Sequence, residues 1–161
     1  MAAKGNKSKE NDAPRIHNRR ALHDYTITAK LECGIVLAGS EVKALRQGKA
    51  TLQESFARVE PDNQLTLYGL HIDLYDKANI HNHETIRPRR LLAHKREIKK
   101  LADETREKGT ALIPLSIYFK EGRAKVEIAV GHGRKHHDKR DAIRKREMDR
   151  ELRKAASVRR R

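Results

Sequence analysis

Between Tyr25 and Leu31 every second residue is apolar: Tyr25, Ile27, Ala29 and Leu31 alternate with Thr26, Thr28 and Lys30. A period of two marks a strand with one buried face, and Ile35 to Leu37 continues it past Gly34. Ser40 to Arg46 then reads as a short helix, with Ser40 as N-cap, Val42 and Leu45 on one side and Gly48 as its stop. Phe56 to Glu60 and Gln64 to Ile72 flank the turn residues Pro61, Asp62 and Asn63, which predicts a hairpin.

Asp73 to Arg90 shows no period and is expected to be a long functional loop, made cationic by Arg87, Arg89 and Arg90. His94 to Lys108 is the main helix, with Ile98, Leu101, Ala102 and Thr105 on one stripe, Glu104 set four before Lys108, and Gly109 after it. Ala111 to Phe119 and Ala124 to Val130 form a last hairpin around Glu121 and Gly122, with Ala124, Val126, Ile128 and Val130 inward. Pro114 predicts an edge or a bulge.

Six or so short strands with one short and one longer helix predict a mainly β (α+β) fold, a small and partly open barrel of the oligonucleotide-binding kind. The pattern does not fix strand order. A chain of 161 residues, about 110 of them in this body, is long enough for one core.

Charge divides the chain further. Of the net +15, most sits at the ends: residues 131–161 hold 13 Lys+Arg against 5 Asp+Glu, and residues 1–20 hold 6 against 2. The expected organisation is a disordered basic arm over 1–17, an RNA-binding body over 18–132 and a basic tail over 133–161. Cationic ends on a balanced body suit a polyanion, with nucleic acid the first candidate and a generic basic ribosomal or RNA-packaging protein as the alternative. Cys33 is the sole cysteine, so no internal disulfide can form, and no apolar run suits a membrane helix. A monomeric cytoplasmic protein without membrane partners is expected.

Nothing predicts catalysis or a cofactor. His81-Asn82-His83 spells a nuclease motif, but side chains adjacent in an extended loop point alternately and cannot jointly activate one metal-bound water. His132, His136 and His137 lie in a cationic segment that would repel a dication. Gly48-Lys49-Ala50-Thr51 resembles the end of a phosphate-binding loop, yet Lys43 stands where that loop needs Gly. Cys33 reads as a small packed residue beside Gly34. With only Phe56, Phe119 and four tyrosines, a broad base-stacking platform is not expected, and shape and backbone recognition of folded RNA fits better.

Longer motifs carry a resemblance. Asn18-Arg-Arg-Ala-Leu-His23-Asp24-Tyr25, then Glu32-Cys-Gly34 and Gly39-Ser-Glu41-Val-Lys43-Ala-Leu-Arg46-Gln-Gly48-Lys49, are similar to the bacterial small protein B family of SsrA-binding proteins. The similarity continues through His71-Ile72, Asn82-His83, Arg89-Arg-Leu91-Leu92-Ala-His94-Lys95, Pro114-Leu115, Tyr118-Phe119 and His137-Asp138-Lys139-Arg140. Against the family pattern, Cys33 replaces a usual Ala and Ser40 a common Thr, while Leu74 and Thr85 stand where proline is frequent.

The resemblance implies a non-enzyme: an adaptor that binds the tRNA-like domain of transfer-messenger RNA and helps deliver it to stalled ribosomes, with elongation factor Tu reached indirectly through the charged RNA. It implies an RNA face of Asn18, Arg19, Arg20, His23, Glu32, Lys43, Arg46, Lys49, Arg90, Leu92 and Lys95. By charge, Lys43, Arg46 and Lys49 around one short helix suit successive phosphates. Glu32 suits base amino groups or 2′-hydroxyls; without the resemblance it reads first as an outward strand residue paired with a lysine. Leu92 reads equally as core packing.

In the tail, Asp138 can cap a helix, and Asp141/Lys145 and Asp149/Arg153 are favourable pairs, while Arg146 and Arg150 repel. Disorder alone and helix on RNA is the expectation. The resemblance implies that Gly133, His137, Asp138, Lys139 and Arg140 meet the decoding centre, and that Arg144, Lys145 and Arg146 follow into an empty messenger channel.

Overall fold

The computed structural model describes residues 13–76, 78, 82–134, 147, 148 and 150. Among the residues described up to Arg134, nine strands and three helices follow in the order β1 (Ile16–His17), α1 (Ala21–Asp24), β2 (Tyr25–Ile35), α2 (Gly39–Arg46), β3 (Ala50–Thr51), β4 (Phe56–Val59), β5 (Leu65–Tyr68), β6 (His71–Ile72), β7 (Arg89–Leu92), α3 (Lys95–Glu104), β8 (Thr110–Lys120) and β9 (Arg123–Gly133). The main sheet runs β1-β8-β4-β5-β7-β2-β9, and a further pairing of β8 with β9 brings it back on itself. The join between β4 and β8 is a single pair, Ala57 with Leu112, so the barrel is only partly closed. The mainly β, partly open barrel expected from the pattern is therefore what the chain forms.

Two irregularities bend the long strands. Thr28 has no partner between the Ile27–Gly131 and Ala29–Val130 pairs, and Leu115 has none between Pro114–Ile128 and Ser116–Glu127. Both bulges face the same stretch of β9, and an extra residue on one strand increases its twist and curvature. Pro114 thus marks a bulge, as its missing N–H requires.

The same bend splits the core. Inside the barrel lie residues such as Leu45, Leu65, Leu67, Leu91, Ile117, Val126 and Ile128, all nearly inaccessible. On the other side of the sheet, Ile113, Leu115 and Ala129 pack with Ala21, so α1 caps an apolar patch that would otherwise face water. Neither α1 nor β1 shows in the period of the sequence. Residues 13–17, assigned to the arm by charge, lie against the body, where Ile16 pairs with Ile117.

The two main helices differ from expectation at their starts. Ala38, not Ser40, is the N-cap of α2, and its N–H is held by Glu41 Oε2 at 2.7 Å. Likewise α3 starts after His94, whose N–H donates to Glu97 Oε2 at 2.8 Å. In both, the acid at the third helical position satisfies a free N–H and favours the positive helix end. The C-terminal end of α3 falls short of Lys108, with Thr105 turning its hydroxyl onto the carbonyls of Leu101 and Ala102.

The segment 73–90 is not all loop. Ile86 bridges to His71, and Arg89 and Arg90 open β7. Among the described residues no helix is long and apolar enough to cross a membrane.

Candidate nucleic-acid interface

Four strands put their outward residues in one row. Leu92 of β7 pairs with Gly34 of β2, Gly34 with Lys125 of β9, and Lys125 with Tyr118 of β8. Residues directly opposite across strands share a face, so Leu92, Gly34, Lys125 and Tyr118 lie side by side on the outside of the barrel. Glu32 and Arg90, each two residues along, share that face. Leu92 is 52% exposed, which settles its alternative: it is a surface residue and not part of the core.

Glu32 stands opposite Glu127. Two facing carboxylates repel, and the surrounding residues offset this separately for each. Glu32 accepts a hydrogen bond from the Tyr118 hydroxyl and pairs with Lys120 at 3.2 Å; Glu127 is held by Arg15 at 3.1 Å and Lys30 at 3.4 Å. The Tyr118 hydrogen bond, then that from Lys120, keep the Glu32 carboxyl below its ordinary range. Burial first, and then the bond to Glu32, push the Tyr118 phenol up to about 12. Arg15 lies over the same ring, 4.4 Å from its centroid. The lysine pairing read from sequence is thus present, and it presents an ionised acid on this face.

α2 meets this face through Val42, which lines a groove with Gly34 and Leu92, and carries two of the expected cations. Arg46 lies 5.0 Å from the centre of the Phe119 ring. One turn earlier, Lys43 sits 5.3 Å from the Tyr75 ring, and Lys49 pairs with Asp76 at 2.7 Å. The stretch from Asp73 to Asp76 therefore lies between Lys43 and Lys49. It is fixed there by Asp73 N–H donating to the Lys49 carbonyl and by Asn82, whose amide bonds both the N–H and the carbonyl of Tyr75 at 3.0 Å. Lys95 is exposed at the start of α3, three residues after Leu92.

Asn18, Arg19, Arg20 and His23 form a second group. Asn18 is buried: its amide donates to the carbonyls of Leu52 and Pro114, and its oxygen accepts from Ala21 N–H at 3.2 Å. All its side-chain polarity goes into joining the N-terminal segment to β8 and capping α1. Arg19 and Arg20 are exposed beside it, around a groove of about 360 Å³ shared with Ala50 and Thr51, next to Lys49. His23 sits against Asp24 at 3.0 Å, where β2 meets the end of β9.

Arg87 and Arg89, expected to charge the loop, do something else. Arg89 is fully buried and Arg87 partly so; both bind Glu41, itself fully buried, at 2.8 and 2.6 Å. Only Arg90 of the three remains exposed on the surface. Sequence reasoning missed Glu41, although an acid inside an otherwise apolar and basic helix was the signal available.

His83 and Asn82 hold structure: His83 bridges Ser40 at 2.9 Å and the Ile72 carbonyl at 3.2 Å. His81 lies outside the described residues. Among the described residues no group of His, Cys, Asp or Glu is arranged to hold a metal. Cys33 is buried, and desolvation raises its thiol to about 12, so it is inert as a nucleophile. Gly133 ends β9; His137, Asp138, Lys139, Arg140, Arg144, Lys145, Arg146 and His136 lie outside the described residues.

The SmpB protein family matches residues 15–158. The SsrA-binding protein of Desulforudis audaxviator is 55% identical over 86% of this chain and 90% of its own length. That of Pelotomaculum thermopropionicum is 53% identical over 88% and 92%. A solved chain from "tmRNA-SmpB: a journey to the center of the bacterial ribosome" superimposes with a TM-score of 0.67 at 43% identity, covering 82% of this chain and 96% of that one. The chain belongs to the SmpB family of SsrA-binding proteins, an RNA-binding family and not an enzyme family.

Proposed function

We propose that the chain is a cytoplasmic, monomeric adaptor that binds the tRNA-like domain of transfer-messenger RNA and brings it to stalled ribosomes for trans-translation. The observation that carries this reading is the outer face itself: Leu92, Glu32 and Arg90 share it, and α2, whose Val42 lines the same groove as Leu92, carries the cations Lys43 and Arg46. Such a surface combines phosphate-binding cations with an acid and an apolar residue able to meet base edges. The named relatives, and the complex described for the solved chain, support the same partner.

In this reading Arg19, Arg20, His23 and Lys95 extend the contact along the backbone of the RNA, and Asn18 acts through Arg19 and Arg20, whose place it fixes. The body over 18–132 carries the RNA, the segment 1–17 adds charge, and the tail over 133–161 reads the ribosome. His137, Asp138, Lys139 and Arg140 would meet the decoding centre, with Gly133 giving the exit its freedom. A helix through Arg144, Lys145 and Arg146 would order only in a phosphate-lined channel that holds no messenger RNA, since occupancy removes both the space and the counter-charge. Elongation factor Tu joins through the charged RNA.

The test pairs two measurements. The full chain should prefer transfer-messenger RNA over an ordinary transfer RNA at near-physiological salt, where non-specific phosphate contacts are weakened. Neutralising Asp138, Lys139 and Arg140 should spare that affinity and abolish peptide tagging on stalled ribosomes. Equal binding of both RNAs, falling together as salt rises, would instead identify a generic basic RNA binder. Joint loss of affinity and tagging would defeat the division between body and tail.

A further inference from the structure

Of the three cations on and just after α2 that suit successive phosphates, one is already paired. Among the described residues neither Lys43 nor Arg46 meets an acid; each lies by an aromatic ring instead, Tyr75 and Phe119 respectively. Lys49 donates to Asp76 Oδ2 at 2.7 Å. Backbone contacts deliver that carboxylate: Asp73 N–H donates to the Lys49 carbonyl, and the Asn82 side chain holds both the N–H and the carbonyl of Tyr75, the residue before Asp76. The Asp76 side chain itself makes one contact, to Lys49, and can turn away without moving that backbone. Stability does not account for the arrangement. Asp76 is 77% exposed, and a pair so open to water adds little to folding. The pairing nonetheless holds the Lys49 ammonium above its ordinary range and the Asp76 carboxyl below it. A carboxylate oxygen, an anionic acceptor like a phosphate oxygen, therefore stands on a cation suited to phosphate.

We infer that Asp76 is a stand-in for an RNA phosphate: it occupies Lys49 in the protein alone, and its side chain turns away when a phosphate of the RNA takes its place. The inference rests on the RNA-binding reading above and adds to it a residue that opposes binding. At Lys49 a polyanion must exchange one charged contact for another, so RNA held by charge alone gains little there, whereas contacts made elsewhere on the protein keep their full value. Asp76 thus sets a threshold against indiscriminate binding. Charge counting gives a consequence for salt. A phosphate that meets a free lysine releases a counterion, but a carboxylate displaced from that lysine takes a cation up again. The wild-type slope of log affinity against log salt therefore falls short of the number of phosphates met.

The test measures the affinity of the full chain for transfer-messenger RNA and for an ordinary transfer RNA over a range of salt. Asp76→Asn keeps the shape and removes the charge. It should tighten binding about two- to fivefold near physiological salt, the worth of one exposed ion pair, and steepen the slope by about 1. Glu107→Gln makes the same charge change on an exposed residue just before β8, at the other end of that strand from Phe119 and Arg46, and should produce neither effect. In a Lys49→Gln background, Asp76→Asn should change nothing, because the two residues act as one pair. All these positions lie outside the core. Weaker binding or an unaltered slope in Asp76→Asn, an equal gain in Glu107→Gln, or a gain that survives Lys49→Gln would overturn the inference. If the wild type shows no preference for transfer-messenger RNA over transfer RNA, the adaptor reading fails instead, and an Asp76→Asn gain on both RNAs that Lys49→Gln abolishes would still support the stand-in.

Discussion

Arg89 and Glu41 are both fully buried and meet at 2.8 Å. The pair joins β7 to α2 through the barrel wall, and Arg89 also donates to the carbonyls of Leu70, Arg87 and Thr85. A buried ion pair adds little over an apolar pair, but removing one member strands the other charge. Glu41→Ala should therefore destabilise the chain by about 3 to 5 kcal/mol in denaturant unfolding. It should also loosen α2, which carries Lys43 and Arg46. A smaller loss than that of an ordinary surface substitution would show that Arg89 finds water or another acid.

The same pair sets a pH dependence. Burial works to raise the Glu41 carboxyl, but the hydrogen bonds from Arg87 and Ala38 and the charge of Arg89 outweigh it, so it lies below its ordinary value of 4.5. A folded-state pKa below the unfolded one contributes stability that is complete above about pH 4.5 and is lost as pH falls through the folded value. Glu41→Gln should be less stable than wild type at pH 7, and the difference should shrink on acidification. A constant difference from pH 7 to pH 3 would contradict this account.

Tyr118→Phe removes the hydroxyl that holds Glu32 without touching the acid. The Glu32 titration followed by carboxyl NMR should move upward, toward the ordinary range, since the largest influence depressing it is gone. RNA affinity should drop as well if the carboxylate must be held in one orientation. An unmoved titration would mean that Lys120 alone sets it.

Asn18→Ala breaks three buried side-chain hydrogen bonds and leaves the Leu52 and Pro114 carbonyls without that donor. The expected cost is about 1 to 3 kcal/mol in thermal or denaturant unfolding. Asn18→Asp should not rescue it, because a carboxylate cannot donate to those carbonyls. Rescue by Asp would assign the role to the cap on α1 alone.

Gly48 and Gly109 both have positive φ, but only at Gly48 would a Cβ meet a neighbour, Pro14 Cγ at 2.9 Å. Gly48→Ala should cost more stability than Gly109→Ala, whose strain is that of the backbone alone, about 1 kcal/mol. Equal costs would mean that the Pro14 segment moves aside freely.

The strands that alternate over their length were legible in the sequence, and so was the bulge after Pro114. What escaped were pieces defined by distant partners. β7 is four residues long and begins with two arginines, one of them pointing into the core only because Glu41 waits there. α1 exists because the sheet exposes Ile113, Leu115 and Ala129 on its second face, and β1 because β8 offers it an edge, neither of which a local period reveals. The α2 cations were readable from charge and spacing, whereas the groove beside Gly34 appears only once β7, β2 and β9 are aligned. Motif resemblance named the exposed Leu92; composition alone left it equally a core residue.

β9 keeps an unbroken course from Arg123 to Gly133 while both its neighbours bulge against it. It therefore acts as a gauge block: eleven residues, a fixed length on the order of 35 Å at strand spacing, separate the Glu121-Gly122 turn from Gly133 beside Tyr25. Inserting one residue into β9 would turn every side chain beyond it to the opposite face, so the spacing between the two ends of this strand is the dimension least free to change.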